Sequence, residues 1–175
     1  MDTGLALAYG GYLAWLLAGL ADFLLHWRTD LRHTSGLAES TAHLVQLVLL
    51  GGAIVLGLSF APGPALAAVL AMLVLAHAGV GYLDSRIAFR RRRTLYPAEQ
   101  HVHSILDMAP LISLGLWLWW TWPAAIAPWA APALREPPLP ATSWGWVLAP
   151  AALLCVLPAL LEFRAAWTSR FTTRG

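Results

Sequence analysis

The chain has 175 residues, 59% of them apolar, with ten Trp, eleven basic and nine acidic residues and a net charge of +2; its mean hydropathy is +0.64. That balance excludes an ordinary water-soluble single-core domain. All eleven basic residues are arginines gathered beside apolar runs, not in a stripe interleaved with aromatics, which excludes nucleic acid as a partner, and the single Cys155 excludes an intrachain disulfide or thiolate metal cluster.

Crossing a bilayer takes about 20 apolar residues. Five stretches meet that length, at roughly 5–25, 41–61, 64–84, 102–122 and 144–163. Residues 1–175 therefore read as a single all-α transmembrane domain, a bundle of five spans. The first run lacks a basic leading segment and a small-residue cleavage site, so it is expected to be a span, not a removable signal. Arginines next to spans are retained on the cytoplasmic side. Arg28 and Arg32 follow span one, Arg86 and Arg90 to Arg93 follow span three, and Arg164, Arg170 and Arg174 follow span five. The expected topology has the N-terminus outside and the C-terminus cytoplasmic, in a bacterial inner membrane. The long outer segment after span four is rich in Pro and carries Trp119, Trp120, Trp122, Trp129, Trp144 and Trp146, expected to anchor at headgroup level. Gly10, Gly11, Gly51 and Gly52 are candidates for close helix approach, within the chain or in a homo-oligomer.

Residues three, four or seven apart share a helix face, and polar residues recur at those offsets at one end of four spans. Span one closes on Asp22 and His26, within "DFLLH". Span two opens with Glu39 and His43, within "ESTAH". Span three closes on His77 and Asp84, and span four opens with Glu99, His103 and Asp107, within "EQHVHSILD". Because the chain reverses at each span, these ends lie at one depth, the arginine-rich side. Each of four helices then offers an imidazole and a carboxylate to a common layer. Uncompensated charge inside a membrane costs at least a few kcal/mol per residue, and crowded carboxylates repel one another. Bound metal ions answer both problems, and imidazole with carboxylate suits iron, zinc or manganese. The expected ligands are His26, Glu39, His43, His77, Asp84, Glu99, His103 and Asp107, with Asp22, His101 and His33 as weaker candidates.

Plainer roles exist for several of these. Glu39 and Glu99 suit a first helical turn, where a carboxylate complements the helix dipole. Asp84 can pair with Arg86. His101 lies off the stripe of His103 and suits the interface, and His33 suits a loop. Arg90, Arg91, Arg92 and Arg93 offer contacts to an anionic headgroup or simply mark topology.

The arrangement resembles, at the level of its motifs, the membrane-embedded di-iron oxidases and hydroxylases that draw histidines and carboxylates from four helices. The likeness covers spans one to four. It departs from the HxxxH and HxxHH boxes of the hydroxylases and desaturases, and from the Glu-x-x-His offset of ferritin-like proteins, since the offset here is four. What the resemblance implies is a di-metal oxidoreductase, iron foremost with zinc or manganese as alternatives, acting on a lipid or other apolar substrate with an electron donor as partner. A two-metal hydrolase of a phospholipid would use the same ligands. Metal transport or sensing ranks lower, because the outer halves of the spans offer no polar path. A non-catalytic assembly protein, its polar cluster fixing helix packing, is the remaining class.

Overall fold

The computed structural model describes residues 3–28, 36–90 and 96–172, all helix or connecting loop. The helices are α1 (Thr3–Arg28), α2 (Gly36–Ser59), α3 (Pro64–Arg90), α4 (Pro97–Trp120), the short α5 (Trp122–Ala125), α6 (Ala141–Ala151) and α7 (Leu157–Thr172). A five-residue π turn, Ala152–Val156, joins α6 to α7, so Ala141–Thr168 runs as one long helix. Together with α1 to α4 it makes five helices long and apolar enough to cross a membrane. Their perimeter is apolar too: Leu7, Val48, Met72 and Phe89 stand exposed on it, a surface suited to lipid and costly in water.

α1 and α3 each bury a narrow stripe whose spacing alternates between three and four residues, the pattern that keeps one seam facing a neighbour. In α3 the stripe is Leu70, Val74, His77, Gly81, Asp84 and Ala88; in α1 it includes Leu16, Gly19, Phe23 and His26. Apolar residues thus fill one half of each of these seams and ionisable ones the half toward the arginine-bearing end. α1 packs on α4 and on the fifth long helix, α2 on α3 and on the fifth, and α3 on α4. The helices therefore close into a ring in the order α1, α4, α3, α2, fifth. The expectation of a core built by helices one to four alone is corrected here, because the fifth stands between α1 and α2.

Proline explains how the fifth helix is tied to α1. Pro150 has no N–H to give the carbonyl four residues earlier, that of Trp146, and Tyr9 donates its hydroxyl to this oxygen at 3.0 Å. Tyr12 does the same for Val147 at 2.7 Å. Two turns on, Gly19 admits Cys155: a Cβ at Gly19 would lie 2.9 Å from the Cys155 Sγ. Gly10, Gly11, Gly51 and Gly52, by contrast, have nothing within 4 Å of such a Cβ, so the expected close approach within the chain falls at Gly19 and Gly81 instead.

The Pro-rich segment between α5 and α6 is pinned to the end of α2. Ala61 and Arg135 donate backbone N–H groups to Ala133 and Ser59, both at 2.9 Å, and the Arg135 guanidinium donates to the carbonyls of Gly57 and Phe60 at 3.3 Å. Helix C-termini carry unsatisfied carbonyls and partial negative charge, and Arg135 supplies the cap. Arg135→Ala is expected to lower stability by about 1–2 kcal/mol, read as a fall in the thermal unfolding midpoint; an unchanged midpoint would show the cap to be idle.

Candidate metal centre

The polar ends of five helices meet at the arginine-bearing end of the ring. At the centre the imidazoles of His26 (α1) and His43 (α2) stack nearly parallel, their centroids 5.1 Å apart and their planes 9° from each other. Two carboxylates bracket the stack. On one edge Glu162 sets one oxygen 3.5 Å from the His26 Nδ1 and the other 3.5 Å from the His43 Nδ1. On the opposite edge Asp22 sets one oxygen 3.9 Å from the His26 Nε2 and the other 3.8 Å from the His43 Nε2. Each ring also has a carboxylate of its own at Nε2: Glu99 at 3.5 Å for His26 and Asp84 at 3.7 Å for His43. The arrangement has an approximate twofold character, α1 with α4 on one side and α2 with α3 on the other. His103 breaks it, its Nε2 lying 2.9 Å from Asp22 Oδ1.

Local sequence explains the placement. Asp22 and His26 are one turn apart on the buried face of α1. Pro97 starts α4 at a position that needs no N–H, which puts Glu99 in the first turn; Glu99 is buried there and faces His26. Its helix-dipole role and its place in the cluster are compatible. Asp84 faces His43, while Arg86 lies over the Tyr82 ring, 5.8 Å from its centroid, so the Asp84–Arg86 reading gives way to the cluster. Gly36 opens α2 at a φ of 62°, a conformation that favours glycine. Three and four residues on, Glu39 and Ser40 are each 1% exposed, and Ser40 donates its hydroxyl to Glu162 Oε1 at 3.0 Å.

Of the expected ligands, His26, His43, Asp84, Glu99 and His103 come together, Asp22 among them as the most connected carboxylate. Glu39 is buried one turn before His43. His77 and Asp107 sit apart, in the wall of the adjoining cavity. There Asp107 lies over α3 where Gly81 leaves room, since a Cβ at Gly81 would be 2.7 Å from Asp107 Oδ1 and 3.2 Å from the Gln46 Nε2. His101 is exposed, on the face its offset predicted, and Arg90 is exposed at the end of α3. His33 and Arg91, Arg92 and Arg93 lie outside the described residues.

Glu162, near the end of the fifth span, is a residue the sequence pattern did not single out. It is fully buried. Its signal was the stripe Cys155, Ala159, Glu162, Ala166, three small residues and one acid at seam spacing, buried at 6%, 2%, 0% and 2% exposure; small residues let the helix approach closely enough for Glu162 to reach both rings.

Two triads bring donor atoms within 4.8 Å of one another, Asp22 with His26 and His103, and His26 with His43 and Glu162. No protein-family model, curated protein or solved structure matches the chain. Its chemistry therefore follows from these side chains alone.

Proposed function

We propose that the chain is an integral membrane enzyme that binds two metal ions, iron foremost, and oxidises a lipid or other apolar substrate near the cytoplasmic face, with an electron donor as partner. The observation that carries this reading is the stacked pair His26 and His43 between Asp22 and Glu162. A carboxylate at Nδ1 fixes an imidazole's tautomer and turns its Nε2 lone pair toward a metal, and Glu162, 3.5 Å from the Nδ1 of each ring, is placed to do so for both on a small closing of that gap. The two Nε2 atoms then face Asp22, Glu99, Asp84 and His103. Asp22, with one oxygen near each Nε2, is placed to bridge two cations at the separation of about 3.5–4 Å usual in dinuclear sites.

The two positions differ. Asp22, His43, Asp84 and His103 line the adjoining cavity, and His26, Glu99 and Glu162 do not. An ion held by His43 and Asp84 would have fewer protein ligands and would face the cavity, and one held by His26, Glu99 and His103 would be enclosed more completely. Oxidation is favoured over phospholipid hydrolysis because, among the described residues, no arginine lines this cavity and Arg28, Arg86, Arg90 and Arg164 are all exposed.

Elemental mass spectrometry of protein purified without chelator tests the reading. Two equivalents of iron are expected, lost in His43→Ala and His103→Ala, with an optical or EPR signal that responds to dioxygen. Zinc or manganese with release of phosphate would move the assignment to hydrolysis, and metal-free protein would leave the cluster a packing device.

A further inference from the structure

The cluster forms the floor of a cavity of about 130 Å³, whose upper wall is apolar, with Trp15, Leu16, Phe23, Leu47, Ile54 and Leu106 among its lining. A second cavity of about 310 Å³ continues it toward the outer half of the bundle. The two share Trp15, Leu50 and Ile54 in their walls. Only Ser113 and the indoles of Trp15 and Trp117 bring side-chain polar atoms to the second. Along α2 the pair extends from His43 to Leu58, about 22 Å at ~1.5 Å per residue. That is the length of an extended chain of about 16–18 carbons, each bond of ~1.5 Å advancing it by roughly 1.3 Å.

We infer that the two cavities bind one unbranched hydrocarbon chain of about that length, its tail in the outer cavity and an uncharged, hydrogen-bonding head at the polar floor. The upper space is a cleft open on one side and lined almost wholly by apolar groups, so an apolar occupant fits it. The floor sets the head. Gln46, His77 and Asp107 line the lower cavity beside the cluster, and the His77 Nδ1 is buried with no hydrogen-bond partner among the described residues. These groups serve a hydroxyl, amide or ester. An anionic head is disfavoured: Asp22, Asp84 and Asp107 line the lower cavity, and no arginine of the described residues does. The carbons next to the head then lie nearest the cluster. The inference rests on the proposed metal centre for the reactive end only; the chain site stands on the cavities.

The test uses the full chain in lipid nanodiscs with a 16-carbon alcohol carrying a diazirine at its tail end, palmitate carrying the same group, and a monoacylglycerol of the same chain. Illumination is expected to label Ile54, Leu114 and Trp117 with the alcohol, and roughly tenfold less with palmitate. Labelling by the monoacylglycerol as well identifies an ester-linked chain; labelling by the alcohol alone identifies a free one. Gly51→Leu places a side chain where a Cβ meets nothing within 4 Å, in the wall of the lower cavity. It should cut the label roughly tenfold, while Val48→Leu, at a position 74% exposed on the same helix, leaves it unchanged. Label confined to lipid-facing positions such as Val48, equal label with palmitate, or full label in Gly51→Leu overturns the inference. Metal content measured on the same samples separates its failure from that of the metal reading.

Discussion

If the cluster holds two metal ions as proposed, Asp22→Asn is expected to remove both together, whereas Asp84→Asn or Glu99→Gln removes one. The asymmetry follows from contacts. Asp22 meets three imidazoles, His103 at 2.9 Å, His43 at 3.8 Å and His26 at 3.9 Å, and alone among the Nε2-side carboxylates gives an oxygen to each half of the cluster. Asp84 and Glu99 each serve one ring. An amide keeps the shape of the carboxylate but lacks its charge and second acceptor oxygen, so neither ion retains its bridge. The apoprotein also suffers, since leaving a buried charged group without its partner costs about 3–5 kcal/mol. Elemental analysis and thermal unfolding check both parts. Retention of two ions in Asp22→Asn, or loss of only one, would refute a bridging role.

How much of this was legible in the sequence differs between fold and site. Span count, helical class and the depth of the polar layer follow from run length and from polar residues at three and four residue offsets, because both depend on local geometry. The ends were drawn short. α3 continues to Arg90 and α4 begins at Pro97, so Asp84 and Glu99 stand on helix interior or first turn, where hydropathy alone ends the run. His77 and Asp107 were grouped with the ligands because they share a stripe with Asp84 and His103. Seven residues from Asp84, and four from His103, they point into the same seam but a turn or two nearer the cavity, and depth along a helix axis depends on how the helices slide against each other. Glu162 was passed over because it has no histidine on its own helix; its partners are on α1 and α2, and adjacency in the ring is not written in local pattern. Asp22 was ranked low for a related reason, since its contacts across three helices become visible only once those helices are packed.

The polar and apolar halves of the bundle also depend on one another. The ionisable residues cost desolvation wherever helices bury them, and that cost is offset only where oppositely charged groups or cations meet in a single place. A ring of five helices with small residues at Gly19, Gly81, Ala159 and Ala166 lets the side chains converge at one end, while the same ring leaves space above them at the other. Close approach at the cluster and open volume beyond it are two results of one packing.

Glu162→Gln is expected to weaken metal binding about 10–100-fold, about 1.4–2.8 kcal/mol, with the stoichiometry unchanged at two. Glu162 lies 3.5 Å from the Nδ1 of each ring, the edge turned away from Asp22, Asp84 and Glu99, so on the proposed reading its role would be to orient the imidazoles. The amide can still accept from one ring through its oxygen, but it presents an NH2 to the other and leaves that tautomer unfixed. Ser40→Ala removes the 3.0 Å hydrogen bond that aims Glu162 Oε1 and should lose less, about 0.5–1.5 kcal/mol. Competition against a chelator of known affinity, with metal counted at each step, measures both variants. The second donor triad, His26 with His43 and Glu162, gives the contrary outcome: if Glu162 is itself a ligand, the glutamine variant loses an ion outright and the count falls. An unchanged affinity would instead mean that packing alone holds the two rings, and the orienting role would be withdrawn.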